Sequence, residues 1–308
     1  MQTREFDAFR TKKQEHIEGA QRLISTIGIP SQPRIVLDIN KELSKMSPDM
    51  RLISELVEKD VSMSAKVMKI ANSPFFAMRK SDSIAQALLT MGMTNFSSIV
   101  VSVSLRESVD RYSAGSNGNR TLMERFWKHS SYVAVASRFI AKKIRSPLTE
   151  MAYMAGLFHD CAIPLFIKRY PDYAELMDQA LWTVPIEALQ GARKSIIGVE
   201  DEKYSTNHCI AGYMIAKAWL LPEKTCEAIC HHHFIDTTIH KDPVIEQLVA
   251  ILLLSEYLIQ NFETGLSGDR RKWAALHRNP LEVLGIQSDD FADIEEDLSA
   301  ILSEGVDL

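Results

Sequence analysis

Apolar residues recur at intervals of three and four along nearly the whole chain, and this spacing restricts the fold more than any other feature. Leu52, Leu56 and Val57 form one such stripe, and Val67 and Ala71 continue it. An interval of three or four residues places side chains on one face of an α-helix. Glycine (13) and proline (11), which weaken helices, are sparse among the 308 residues. The sequence therefore predicts an all-α protein, a multi-helix bundle.

The segment 99–105 (IVVSVSL) is the one stretch whose composition resembles a β-strand. It is flanked by helical patterns, and no hairpin turn signal lies beside it. We therefore predict that it is a buried helix.

Clusters of glycine, proline and polar residues mark loops at 29–33 and 113–119. Between such breaks the pattern predicts a helix from about Thr121 to Lys143 and an acidic helix near Phe291 to Leu302. Thr149 is expected to cap the helix that follows Ser146. Three prolines are each expected where a first helical turn begins: Pro185, Pro222 and Pro243.

The charge balance disfavours nucleic acid as a partner, because 35 basic against 40 acidic residues give a formal net charge of -5. The four cysteines lack the close spacing of zinc ligands, and the N-terminus is too polar for an export signal. The longest apolar run, Leu248 to Leu254, is too short to cross a bilayer. We therefore expect a cytoplasmic protein that binds neither nucleic acid nor a membrane.

Five histidines lie in or at the ends of predicted helices: His129, His159, His208, His232 and His233. Asp160 directly follows one of them, and imidazole together with carboxylate suits divalent transition metals. Spacing alone leaves two other interpretations open. His159 and Asp160 could form a hydrogen bond that joins two helices without a metal. His232 and His233 could simply interact with the dipole at a helix C-terminus.

Several segments, taken in order, resemble the HDOD family, a branch of the HD phosphohydrolase superfamily. Residues 64–76 (SAKVMKIANSPFF) and 83–92 (SIAQALLTMG) are similar to its N-terminal signature, and 156–165 (GLFHDCAIPL) is similar to the superfamily's His-Asp motif. Glu202 with His208, 219–222 (WLLP) and 228–233 (AICHHH) continue the resemblance.

The resemblance covers about residues 28–260 and implies an HD-like helical bundle with an additional helical N-terminal subdomain. It divides the chain into an N-terminal helix (1–27), an HDOD domain (28–260, with halves 28–112 and 120–260) and a C-terminal helical tail (261–308). The superfamily's metal ligands correspond here to His129, His159, Asp160, His208, His232 and His233. Glu256 stands where the superfamily usually has a last aspartate. The implied cofactor is a divalent metal such as Fe, Mn, Zn or Ni.

Two departures from the superfamily bear on catalysis. Ala162 and Ile163 replace the Gly-Lys pair of the catalytic HD-GYP branch, and Phe234 follows His233 where that branch has Gly-Tyr-Pro. Isoleucine offers neither charge nor proton to a phosphate. The sequence thus predicts a non-catalytic module of a bacterial signalling pathway that contacts other signalling proteins, with a homo-oligomer left open. The alternative is a metal-dependent phosphohydrolase acting on a nucleotide or cyclic dinucleotide.

Overall fold

A computed structural model describes residues 16–26, 28, 33–73, 76, 80–113, 120–181, 196–233, 242–265, 270, 273 and 279–303. Within these ranges every regular element longer than a turn is an α-helix, which confirms the predicted all-α class. In chain order the helices are α1 (16–26), α2 (Arg34–Leu43), α3 (Met50–Glu58), α4 (Val61–Ala71), α5 (Ile84–Met91), α6 (Met93–Ser113), α7 (Arg120–Lys143), α8 (Thr149–Phe158), α9 (Ile163–Arg169), α10 (Tyr173–Leu181), α11 (Ile196–Tyr204), α12 (His208–Ala218), α13 (Glu223–Cys230), α14 (Pro243–Thr264), α15 (Pro280–Leu284) and α16 (Ser288–Ser303).

Side-chain oxygens begin several of these helices by accepting backbone hydrogen bonds. Asp49 accepts from the amide of Arg51 at 2.9 Å, and Asp60 accepts from Met63 at 3.0 Å. Asn207 does the same for α12, accepting from the amide of Ile210 at 3.0 Å. Such caps satisfy amides that have no partner inside the helix. The cap at Asn207 also fixes where His208 begins its helix.

The predicted cap at Thr149 is wrong. Leu148 is the N-cap residue of α8, and Thr149 is the first helical residue. The Thr149 hydroxyl instead donates to the carbonyl of Ser146 at 3.0 Å, while the Ser146 hydroxyl accepts from the amide of Leu148 at 3.1 Å. Ser146 therefore closes the turn before α8, and the Thr149 hydroxyl donates to that turn instead of accepting from a helix amide.

The other predicted helices agree with the structure. Segment 99–105 lies inside α6 and is buried throughout, and the acidic helix is α16. Pro222 is the N-cap of α13, and Pro243 is the first residue of α14. Pro185 lies outside the described residues.

Asn72 joins the end of α4 to the start of the next segment. Its side-chain amide donates to the carbonyl of Ser81 at 2.9 Å, and its carbonyl oxygen accepts from the Ser81 amide at 2.7 Å. Phe76, between them in sequence, packs edge-on against the ring of Tyr153, with centroids 5.3 Å apart. The N-terminal signature segment is therefore a helix stop whose aromatic residue returns to the core.

Helices α7 and α8 lie between two buried apolar clusters. One cluster joins the N-terminal helices to α8, α9, α12 and α13, and includes Ile53, Phe158 and Trp219. The other joins α7 and α8 to α14, α15 and α16, and includes Leu252 and Phe291. Residues of both predicted halves thus pack together in the first cluster. The predicted boundaries at 27, 112 and 260 stay predictions.

Helix α14 alone, among the described residues, is long and apolar enough to pass a length-and-composition test for a membrane span, with a mean hydropathy of 1.4 over the best window. The protein itself buries 67% of that window. Leu248, Leu252 and Ile259 are fully buried in the second cluster. These observations fit the central helix of a packed bundle.

Replacing Gly156 by alanine is expected to destabilise the protein. A Cβ there would lie 2.8 Å from the Cα of Ala134 and 2.8 Å from the carbonyl oxygen of Val133, both rigid backbone atoms of α7. The overlap should lower the free energy of unfolding by about 1–3 kcal/mol, measured by urea denaturation. Gly212→Ala is the matched control, because its nearest neighbour is the movable methyl group of Ile229 at 3.2 Å. Equal stability of the two variants would contradict this account.

Candidate metal centre

All seven predicted ligands converge at one place in the bundle. His129 comes from α7, and His159 with Asp160 occupies the turn after α8. His208 opens α12, the paired histidines 232 and 233 follow α13, and Glu256 projects from α14. Five helices therefore deliver side chains to a common point, as in helical metal proteins.

Asp160 lies at the middle of the group. Its carboxylate is 3.2 Å from Nε2 of His159, 3.4 Å from Nε2 of His208 and 3.4 Å from Nε2 of His232. The side chains of all four residues are almost completely buried, with exposed fractions of 4% or less. A carboxylate and three imidazole nitrogens thus face one another without water access.

Glu256 reaches the same point. Its Oε1 is 3.4 Å from Nε2 of His159 and 3.9 Å from Nε2 of His232. The longer side chain therefore compensates for the substitution of the aspartate that is usual in the superfamily. Within the described part of the chain, the ion pairs of Asp160 and Glu256 are all with histidines.

The opposite nitrogen of each central histidine is held by an acceptor. Nδ1 of His159 lies 2.7 Å from the carbonyl of Gly156, and Nδ1 of His232 lies 2.7 Å from the carbonyl of Ile229. A carbonyl only accepts, so Nδ1 carries the hydrogen in both rings. Nε2 of a neutral ring then presents its lone pair to the carboxylates, which is the arrangement found around metal-bound histidines.

Those two Nε2 atoms are buried and make no hydrogen bond within the described residues. A hydrogen bond between His159 and Asp160, the alternative that the sequence left open, would require a proton on Nε2 of His159. Lone pairs directed at carboxylates need a cation between them, either a proton or a metal ion. The donor set, with imidazole nitrogens and carboxylate oxygens, fits a divalent transition metal.

A second group of possible ligands adjoins the first. Nε2 of His208 lies 2.9 Å from Nε2 of His233, so a proton or a metal ion must separate the two lone pairs. The thiol of Cys209 is 3.6 Å from the His208 ring and 3.7 Å from Nδ1 of His232. One atom from each of these four residues fits within a span of 4.8 Å. These four residues are therefore candidate ligands for a second metal ion beside the first group.

Attraction between carboxylates and imidazoles controls the protonation of both kinds of group in the metal-free centre. Burial alone raises the pKa of Asp160, but the neighbouring His159, His232 and His208 outweigh it and hold that pKa well below its usual range. Burial lowers the pKa of His208 and His232, but anionic neighbours, Cys209 foremost, raise both well above the usual value. Without metal, protons on the imidazoles therefore balance the buried carboxylates.

His129 stands at the edge of the centre and is held by Glu263. Its Nδ1 lies 3.2 Å from Oε2 of that carboxylate, and its ring centroid lies 5.6 Å from that of His159. Burial lowers the pKa of His129, yet its bond to Glu263 raises it overall. His129, His159 and Asp160 each offer a ligand atom within a span of 4.8 Å.

The carboxylate beside His208 belongs to Glu200, which the sequence analysis did not identify. Glu202 is exposed, whereas Glu200 is completely buried and lies 2.7 Å from Nδ1 of His208. Glu200 also accepts a hydrogen bond from the hydroxyl of Tyr173. Helical spacing could have identified it, because Glu200 lies four residues from both Ile196 and Tyr204, which pack against the core.

Comparison with known proteins agrees with this geometry. The model of the HDOD domain matches residues 29–235, which is more than half of the chain. The chain belongs to the HDOD family. Its predicted resemblance is therefore confirmed, and so is the helical architecture.

Individual relatives of this HDOD protein are distant. An uncharacterised protein of Treponema pallidum (strain Nichols) is 24% identical over 210 residues, which are 67% of this chain but 37% of the relative, so the match spans little more than a third of that protein. A Shewanella amazonensis structure, named provisionally as a phosphohydrolase, superimposes with a TM-score of 0.67 at 17% identity, covering 94% of this chain and 97% of that one. A Marinobacter aquaeolei structure, named provisionally as a signal transduction protein, gives 0.64 at 17% identity, covering 96% and 65%.

Glu200→Gln is expected to weaken metal binding by about 10–100-fold, because the carboxylate that orients His208 and supports its basicity is lost. Competition with a coloured chelator measures the affinity. Glu202→Gln removes an equal charge from the exposed face of the same helix and should leave affinity unchanged. Equal losses in the two variants would exclude an orienting role for Glu200.

Metal binding is expected to strengthen as the pH rises. In the metal-free protein the pKa values of His208 and His232 lie above the usual value, so a metal must displace protons near neutral pH. Between pH 5.5 and pH 7.5 the affinity should rise by at least about tenfold. A pH indicator in weak buffer should record protons released on metal addition, and no release would contradict the proposed ligands.

Proposed function

We propose that this HDOD protein is a regulatory module whose buried histidine–carboxylate centre holds a divalent metal for structure and signalling rather than for turnover. The observation that carries the proposal is the environment of Ile163. Its side chain is 2% exposed and packs in the first apolar cluster, at the start of α9 and three residues after Asp160. Because the Ile163 side chain is apolar and buried, it offers a phosphate no positive charge at this point.

The residues that would hold the metal are the central set around Asp160. His159, His208 and His232 present Nε2 atoms, and Glu256 supplies a second carboxylate. A bound metal of this kind supplies Lewis-acid polarisation of an oxygen ligand. Fe, Mn, Zn and Ni all suit such a mixed nitrogen and oxygen set.

Burial also supports a structural role. The central ligands come from segments far apart in sequence, so an ion among them would join α8, α12, α13 and α14. Metal binding to a site that forms only in the folded state adds its binding free energy to stability. The same ion would make the packing of these helices depend on metal supply.

The regulatory half of the proposal rests on the family and on the provisional naming of the Marinobacter aquaeolei protein as a signal transduction protein. A regulatory domain acts by contact with other proteins, and we propose signalling proteins as the partners. Pull-down from the source cells with the wild-type chain and with His159→Ala would identify partners that depend on the centre.

Metal analysis together with a hydrolysis screen tests the proposal. Wild-type protein is expected to bind Mn, Fe, Zn or Ni and to lose it in His159→Ala. Incubation with nucleoside phosphates, cyclic dinucleotides and a generic phosphodiester should give no turnover above that of the variant. The matched control is His231→Ala, because that ring faces Glu227 at 3.7 Å rather than the centre and its loss should leave metal bound.

A metal-dependent phosphohydrolase is the second candidate, favoured by the complete histidine set around Asp160 and by the provisional name of the Shewanella amazonensis protein. Turnover by the wild type that disappears in His159→Ala and persists in His231→Ala would establish this candidate and reject a purely regulatory role. Absence of bound metal in the wild type would reject both.

A further inference from the structure

A cavity of about 360 Å³ lies at the junction of the two predicted halves of the bundle. It is bounded by α4 and α6 from the N-terminal half and by α7 and α8 from the other half. Its volume falls in the range of small-molecule sites, about 300–1,000 Å³. None of the seven metal-centre residues lines it.

Apolar side chains form one wall. Ile70, Val103, Trp127 and Leu157 all line the cavity. The indole nitrogen of Trp127 donates to Asp110 at 2.8 Å, which fixes the orientation of the ring. The guanidinium of Arg106 lies over that ring, 5.9 Å from its centroid, so a planar ligand ring would pack against the aliphatic side chains of this wall.

Hydroxyl groups form the floor. The hydroxyl of Tyr153 belongs to a fully buried side chain, and Ser102 is a hydrogen-bonding neighbour of it. Ser102 and Ser131 donate their hydroxyl hydrogens to the carbonyls of Ser98 and Trp127, both at 2.6 Å. Their oxygens can still accept hydrogen bonds. The floor therefore offers hydroxyl oxygens that can accept hydrogen bonds from the edge of a polar ring.

Basic side chains form the rim. Lys66, Lys69 and Arg106 line the cavity against two carboxylates, Glu107 and Asp110, which leaves an excess of one positive charge. Lys66 pairs with Glu107 at 2.6 Å and Arg106 pairs with Asp110 at 3.9 Å, and the two cations are about half exposed, at 50% and 42%. Cations at a partly open rim suit an anionic group that remains near solvent.

We propose that this junction cavity binds a nucleoside monophosphate, with the base between the apolar wall and the hydroxyl floor and the phosphate at the basic rim. The buried hydroxyls of Tyr153, Ser102 and Ser131 argue for a polar ligand, since each retains hydrogen-bonding capacity toward the cavity. The site is independent of the proposed metal function, because its lining residues and the central ligands are different sets.

Calorimetric titration with the four common ribonucleoside monophosphates tests the proposal on the full, metal-loaded chain. At least one is expected to bind at one site per chain, while its nucleoside and inorganic phosphate should each bind at least tenfold more weakly. Binding by phosphate alone with equal affinity would overturn the proposal in favour of a simple anion site. No heat with any of the four nucleotides would overturn it as well.

Two variants place the binding in the cavity. Ser102→Leu fills the floor and should abolish binding, while Lys66→Gln removes a rim cation and should weaken it at least fivefold. Lys217→Gln is the matched control, because it breaks a similarly exposed ion pair, with Glu223, outside the cavity. Circular dichroism and metal content verify the fold of each variant. Nucleotide affinity that is unchanged in both Ser102→Leu and Lys66→Gln would locate the ligand elsewhere and overturn the assignment.

Discussion

The interaction on which the rest of this protein depends is the contact of one buried carboxylate with three imidazoles. Asp160 cannot be buried as an anion unless a cation balances it, because removing an unpaired charge from water costs several kcal/mol or more. His159, His208 and His232 come from three different turns and helices, so meeting this requirement fixes the relative positions of α8, α12 and α13. The electrostatic demand and the apolar packing therefore select the same arrangement of helices.

Much of this arrangement could be predicted from the sequence. Helical spacing of apolar residues was sufficient to predict the all-α class. It also predicted that the strand-like segment 99–105 is helical, and burial on all sides explains its apolar composition. The family resemblance supplied the seven candidate ligands, and the structure brings all seven side chains together. What spacing could not provide was their convergence, since residues on α7 and α14 meet only through tertiary packing.

The supporting residues were harder to predict because their roles depend on rotation about a helix axis. Glu200 and Glu202 differ by two positions, about 200° on a helix, so one is buried against His208 and the other is in solvent. Glu263 was also missed, although its position was informative. It lies seven residues beyond Glu256, on nearly the same face of α14. Thr149 shows a more local limit, because its hydroxyl donates to the carbonyl of Ser146 instead of accepting from an amide of the helix.

Helix α7 turns alternate faces to two different environments: Trp127 and Ser131 line the junction cavity, while His129 between them lies in the metal centre. Metal–ligand distances tolerate deviations of only about 0.2 Å. A small axial shift or rotation of this helix would therefore change the shape of the junction cavity and the ligand distances of the metal centre together. Thermodynamic reciprocity then requires that whatever factor a cavity ligand imposes on metal affinity, the metal imposes on the ligand's affinity in return.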